Sequence, residues 1–152
     1  MFSNPLLKQV YLVSTLIVAS LFVVMAADAA ERMAVQADIA NVRSEPDENS
    51  TVLWQVEKYY PLSIIRKKGD WYKFKDFEGD QGWIHASLLD KTQTVIVRVR
   101  QCNVRTGPGT EYDIAFPANK GTPFKVLQIK GRWCEVQYKD GDRGWIFKQL
   151  LW

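Results

Sequence analysis

From Val35 onward, apolar and polar positions along the chain alternate with a period of two. Val35, Ala37 and Ile39 alternate with Gln36 and Asp38, and Val95, Val97 and Val99 lead into an alternation with Arg98 and Arg100. Val52, Trp54 and Val56 keep the same spacing. That period belongs to strands with one buried face. Leu62–Ile65 and Phe124–Leu127 are short apolar runs, each behind a proline, and read as further strands. Lys68-Gly69-Asp70 and Lys130-Gly131-Arg132 supply tight turns, after which Trp71–Phe74 and Trp133–Val136 return. Glu78-Gly79-Asp80 and Asp140-Gly141-Asp142 turn the chain again, into Gly82-Trp83-Ile84 and Gly144-Trp145-Ile146. Glycine at such a turn supplies the positive φ that a hairpin needs. Ala86–Leu89 and Lys148–Leu151 each fit one short helical turn, and no longer helical periodicity follows the N-terminal segment. The predicted class is all-β.

The strands come twice. An offset of 62 aligns Asn41–Leu89 with Asn103–Leu151 without a gap. Asn41-Val42-Arg43 falls on Asn103-Val104-Arg105, Pro46 on Pro108, and Pro61 on Pro123. Trp71 falls on Trp133, Gly82-Trp83-Ile84 on Gly144-Trp145-Ile146, and Leu88-Leu89 on Leu150-Leu151. Some five short strands within about 57 residues close into a small barrel. The predicted organisation is a first barrel over residues 30–90, a short linker over 91–94 and a second barrel over 95–152. The joint Asp90–Thr94 is too short for a free tether.

These landmarks carry a resemblance. NVR-x-x-P, then G-x-W, then G-x-x-G-W-I, then a terminal Leu-Leu is similar to bacterial-type Src-homology 3 (SH3b) domains, in both copies. The resemblance implies two tandem SH3-like β-barrels and a binding role outside the cytoplasm, often at peptidoglycan or beside a wall hydrolase. Two features depart from that picture. No catalytic domain is expected beside the repeats, and Glu45-Pro46-Asp47 stands where the second copy has Gly107-Pro108-Gly109. SH3 domains that bind proline-rich helices build an aromatic groove. The ALYDY-type segment that forms it is absent, so that ligand is not implied.

The first residues have another character. Lys8 precedes an uncharged run, Val10–Met25, and Ala27-Asp28-Ala29 fits the small-residue rule for signal peptidase. This is the plan of a secretory signal peptide over residues 1–29, a hydrophobic helix. The run is slightly short for a membrane span of about 20 residues, and an uncleaved anchor is the alternative. Either way the barrels are expected to be exported, into a periplasm or the extracellular space, with the membrane met only through this segment.

Composition narrows the chemistry. The net charge of +3 is too small to point to nucleic acid, and the compartment disfavours it further. His85 is the single histidine, and the chain has two cysteines, so no metal and no cofactor are expected. His85 aligns with Phe147 and reads as an ordinary, partly buried side chain. Cys102 or Cys134 would have to meet His85 across two domains, so no enzyme activity is expected. Charge is uneven: Glu31–Asp90 carries a net −3 and Lys91–Trp152 a net +6. The halves attract each other, or the basic half meets an anionic surface.

Cys102 and Cys134 align with Ala40 and Tyr72, one small and one large. In an oxidising compartment a Cys102–Cys134 disulfide is expected, with two separately buried thiols as the alternative. Trp83 and Trp145 read as core, and Trp71 and Trp133 as partly exposed and as candidates for ligand contact. Tyr59, Tyr60, Tyr72 and Tyr112 have no counterpart in the other copy and are candidates for ligand contact. Arg43 and Arg105 either pair with Asp80 and Asp142 of their own barrels or present a guanidinium to a ligand carboxylate. Trp152 packs between the barrels or docks a partner. Two functions follow: a non-catalytic module that recognises peptidoglycan or its stem peptides, or a protein-interaction scaffold in an envelope assembly. An open groove of aromatic and arginine side chains favours the first, and their use in the contact between barrels favours the second.

Overall fold

A computed structural model describes residues 30–152, and the expected signal segment lies outside the described residues. Two antiparallel sheets follow one another. The first contains β1 (Arg32–Val35), β2 (Ile39–Arg43), β3 (Val52–Glu57), β4 (Pro61–Lys68), β5 (Trp71–Lys75), β6 (Gln81–His85) and β7 (Leu89–Asp90). Its strand order is β3-β2-β6-β5-β4-β1-β7. The second contains β8 (Thr94–Ile96), β9 (Gln101–Arg105), β10 (Ile114–Asn119), β11 (Pro123–Lys130), β12 (Trp133–Gln137) and β13 (Arg143–Phe147), in the order β10-β9-β13-β12-β11-β8. Short 3₁₀ turns at Ala86–Leu88 and Lys148–Leu150 follow β6 and β13. The isolated bridge between Val97 and Leu151 takes the part that β1 and β7 play in the first sheet.

The offset read from the sequence holds in three dimensions. The bulge between Ile64 and Arg66 recurs between Val126 and Gln128. Gly69 and Gly131 turn at φ +57° and +56°. Val35, Val42, Leu62, Phe74 and Ile84 are fully buried, as are their counterparts Val97, Val104, Phe124, Val136 and Ile146. Trp83 and Trp145 are buried as well, and Trp71 and Trp133 are half-buried.

Gly82 and Gly144 let the sheet fold back on itself. A Cβ at Gly82 would stand 2.3 Å from Val42 Cγ1, and one at Gly144 would stand 2.4 Å from Val104 Cγ1 and 2.7 Å from the Arg105 carbonyl oxygen. Only glycine permits β6 and β13 to approach β2 and β9 so closely. Among the described residues one non-glycine takes a left-handed backbone: Tyr59, at φ +70°, where the second copy has Gly121 at φ +84°.

The joint is tied down at both ends. The Thr92 amide donates to Asp90 Oδ1 at 2.9 Å, and the Val126 amide donates to the Gln93 carbonyl at 2.9 Å. The two barrels meet through charge of opposite sign. Glu57 of the first pairs with Lys139 of the second and accepts from the Tyr138 hydroxyl at 3.3 Å; Glu78 pairs with Lys120. Lys120 also lies over the Phe77 ring. Trp152 exchanges backbone hydrogen bonds with Ile96, and its indole lies 3.7 Å from the guanidinium carbon of Arg32, a residue of the first barrel. Burial of that guanidinium against the ring lowers its affinity for its proton. Trp152 therefore packs between the barrels.

Candidate functional site

Each barrel carries a groove, and both grooves are built from the same positions. The turn at Gly69 starts β5 with Trp71, whose register partner on β6 is His85; Gly131 starts β12 with Trp133, opposite Phe147 on β13. The Trp71 and His85 rings meet edge to face at 5.2 Å, and the Trp133 and Phe147 rings at 5.5 Å. Asn41 and Arg43 from β2, and Asn103 and Arg105 from β9, form the opposite wall. Leu88 and Leu150, from the 3₁₀ turns, and Ala40 and Cys102 complete the shared set. Glu48 and Thr110 face the two grooves from equivalent places in their loops. The first groove has a cavity volume of about 510 Å³ and the second about 370 Å³. The first is the more polar, with His85, Asn49 and Gln55 in its walls, and the second the more apolar, with Phe147.

The arginines do not pair with the aspartates. Arg43 Nη1 donates to the Ser50 carbonyl at 2.7 Å, and Arg105 Nη1 donates to the carbonyls of Thr110 at 3.1 Å and Tyr112 at 2.8 Å. Asp80 and Asp142 stand on the turns before β6 and β13. The guanidinium groups turn instead to the loop that leaves their own strand, where carbonyl oxygens need donors. Each arginine thus holds one wall of its groove.

The disulfide is not formed. Cys102 and Cys134 are both free and both buried. Cys102 lies on β9 and Cys134 on β12, with β13 between them. Two ladder spacings put those strands about 10 Å apart, well beyond the reach of a disulfide. Burial pushes the Cys102 thiol up to about 11 and raises that of Cys134 against a small opposing effect of Lys148. The contrast of small and large side chains at these positions reflects two separate places in one core.

None of the four tyrosines lines either groove. Tyr60 packs against the first core, and its hydroxyl donates to Asp76 Oδ2 at 3.1 Å. Burial and the Asp76 carboxylate raise its phenol strongly. Tyr72 packs on the same core under Lys67. Tyr59 sits at the left-handed turn, with Lys58 over its ring. Tyr112 is exposed and lies where a Cβ on Gly107 would be. Asp76, which the sequence did not single out, is buried; its Oδ1 accepts from the amides of Glu78 and Asp80 at 2.9 Å each. His85 likewise proved to be a groove residue, and its alignment with an aromatic beside a repeated tryptophan was the available signal. Among the described residues no group of three His, Cys, Asp or Glu side chains could hold a metal.

The family description "Bacterial SH3 domain" fits residues 36–91 and again residues 95–152. The chain belongs to the bacterial SH3 domain family. Its two sheets are a tandem bacterial SH3 pair. The pair is similar to YrvJ of Bacillus subtilis (strain 168), named as a candidate N-acetylmuramoyl-L-alanine amidase, at 27% identity over 128 residues, 77% of this chain and 24% of that protein. It is similar to LytH of Staphylococcus epidermidis (strain ATCC 12228 / FDA PCI 1200), named as a candidate cell wall amidase, at 34% identity over 61 residues, 40% of this chain and 21% of that protein. The bacterial SH3 pair thus spans a quarter or less of the length of these relatives. Among solved structures, an NlpC/P60 family protein from Bacillus cereus ATCC 10987 aligns over 80% of this chain and 56% of its own, with TM-score 0.36 and 16% identity.

Proposed function

We propose that this tandem pair is an exported, non-catalytic module that binds peptidoglycan or its stem peptides. The observation behind this reading is the groove built twice from equivalent residues. Trp71 and Trp133 are half-buried and line open grooves, and the contact between barrels uses other aromatics: Phe77, Tyr138 and Trp152. That division favours a ligand over a scaffold. An indole face stacks on sugar rings or peptide planes, at about 0.5–1.5 kcal/mol beyond the area buried. An arginine whose Nη1 is held by the loop keeps the rest of its fork for a carboxylate, a contact of about 1.5–3 kcal/mol. One such groove yields an affinity near the millimolar range. Two grooves on one body raise the apparent affinity for a repeating polymer by about 10²–10⁴.

The names of YrvJ and LytH point to the same polymer. The non-catalytic half of the reading rests on the thiols: both are buried and raised, so neither is the thiolate that a nucleophile requires. Export rests on the segment Val10–Met25 and its small-residue boundary.

Co-sedimentation with purified, dye-labelled sacculi over a salt series tests both halves. The expected result is retention that survives salt, without dye release, and that is lost in a folded Trp71→Ala/Trp133→Ala variant. Retention that vanishes with salt would reduce the reading to a basic half on an anionic polymer. Dye release would make the chain a hydrolase.

A further inference from the structure

The two grooves share a frame and differ in the charge placed in it. Glu48 in the first stands where Thr110 stands in the second, and each faces its groove. Glu48 has neither an ion-pair partner nor a side-chain hydrogen bond among the described residues. Its neighbour Asp47 is engaged in the turn, accepting the Asn49 amide at 2.7 Å; of the loop's two other carboxylates, Glu45 and Glu48, only Glu48 lines the groove. Arg43 faces the same groove and has one of its donors on a loop carbonyl. No ion pair joins Arg43 to Glu48. The lining of the first groove therefore includes a cation and an anion that do not pair with each other, together with an indole. The second presents Arg105, with Nη1 held by two carbonyls, beside Trp133, Phe147 and a hydroxyl.

We propose that the first groove reads a peptide end carrying an ammonium together with a carboxylate, and that the second reads an acylated end with a carboxylate alone. This inference rests on the peptidoglycan reading and names the part of the polymer each groove takes. The Glu48 carboxylate complements an ammonium, and the neighbouring Trp71 ring attracts it as well. The Arg43 fork complements the carboxylate. In the second groove an ammonium would find no anion and would lose water against Phe147 and Leu150. The pair thus holds two chemically distinct ends at once, and a stretch of polymer with only one kind of end engages one barrel.

The test follows the indole Nε1–H resonances of Trp71 and Trp133 by NMR in the whole chain, assigned through Trp71→Phe and Trp133→Phe. The probes are D-alanyl-D-alanine and its N-acetyl derivative. Acetylation is expected to weaken the response at Trp71 by about tenfold, the value of one charge-assisted contact, and to leave or strengthen the response at Trp133. Glu48 and Thr110 are both exposed, so the exchange Glu48→Thr/Thr110→Glu leaves both cores intact. In that variant the preferences are expected to swap barrels. Equal responses to both probes, no response at either indole, or preferences unmoved by the exchange would overturn the inference. Retention on sacculi, measured on the same samples, separates the two readings. Sacculus binding without discrimination removes this inference alone; discrimination without sacculus binding removes the wall reading and leaves only the preference of each groove for a free peptide end.

Discussion

Single residues in this chain behave according to what surrounds them more than according to their type. Cys102 is 6% exposed and uncharged in its core, with its thiol raised from 9.0 to about 11. A raised acid keeps its proton in the folded state after the unfolded chain has lost it. The stability it contributes is full below pH 9 and falls as pH rises from 9 to about 11. Ala40 already fills the equivalent place in the first barrel. Cys102→Ala is therefore expected to fold and to show a shallower decline of Tm across that window. Identical declines in the two proteins would contradict this account. The sequence marked these cysteines as notable and misjudged their pairing, because residue volumes give no distance between strands. The loop contacts of the arginines were illegible for a related reason. A guanidinium takes whichever carbonyls the nearby loop offers, and that path is not written in the alternation of apolar positions.

At the scale of elements the sequence was far more legible. Turn glycines and the offset of 62 located the hairpins β4-β5-β6 and β11-β12-β13, whereas the alternation Val35-Ala37-Ile39 runs through a bend that separates β1 from β2. The centres of the two cores match position for position, and their edges differ: Met33 and Leu89 are buried where Val95 and Leu151 are half-buried. Strands are readable because burial on one face imposes period two, and doubling the pattern removes chance agreement. Gly82 and Gly144 show what the repetition encodes: β6 and β13 must press against β2 and β9. Alanine at either site is expected to cost about 1–3 kcal/mol, the usual range for overpacking. Gly144→Ala is expected to cost more, because its Cβ meets the Arg105 carbonyl oxygen as well as Val104. Paired chemical denaturation curves measure both changes, and a Gly82→Ala loss exceeding that of Gly144→Ala would contradict the ranking. The loops were less legible. Pro46 and Pro108 announced them, but only their folded paths show Glu48 and Thr110 at one place in two grooves.

For the whole molecule, the uneven charge of the halves was visible in the sequence, and its use is visible in the contact: Glu57 and Glu78 on one side, Lys120 and Lys139 on the other. Exposed pairs of this kind contribute about 0–1 kcal/mol each, so the short joint and the Arg32–Trp152 contact share the task of fixing the barrels. The individual partners escaped sequence reasoning because they break the repeat: Glu57 aligns with Asn119, and Lys139 with Phe77. What the contact leaves free is two grooves on one body, and the central claim is that they act together on one polymer. The most direct test compares the sacculus affinities of the intact chain with those of Trp71→Ala, Trp133→Ala and the double variant, each checked for folding. Linked sites predict that either single substitution lowers apparent affinity by about 10²–10⁴ and that the double substitution abolishes binding. Single variants that bind as tightly as the intact chain, or a double variant that still binds, would contradict it.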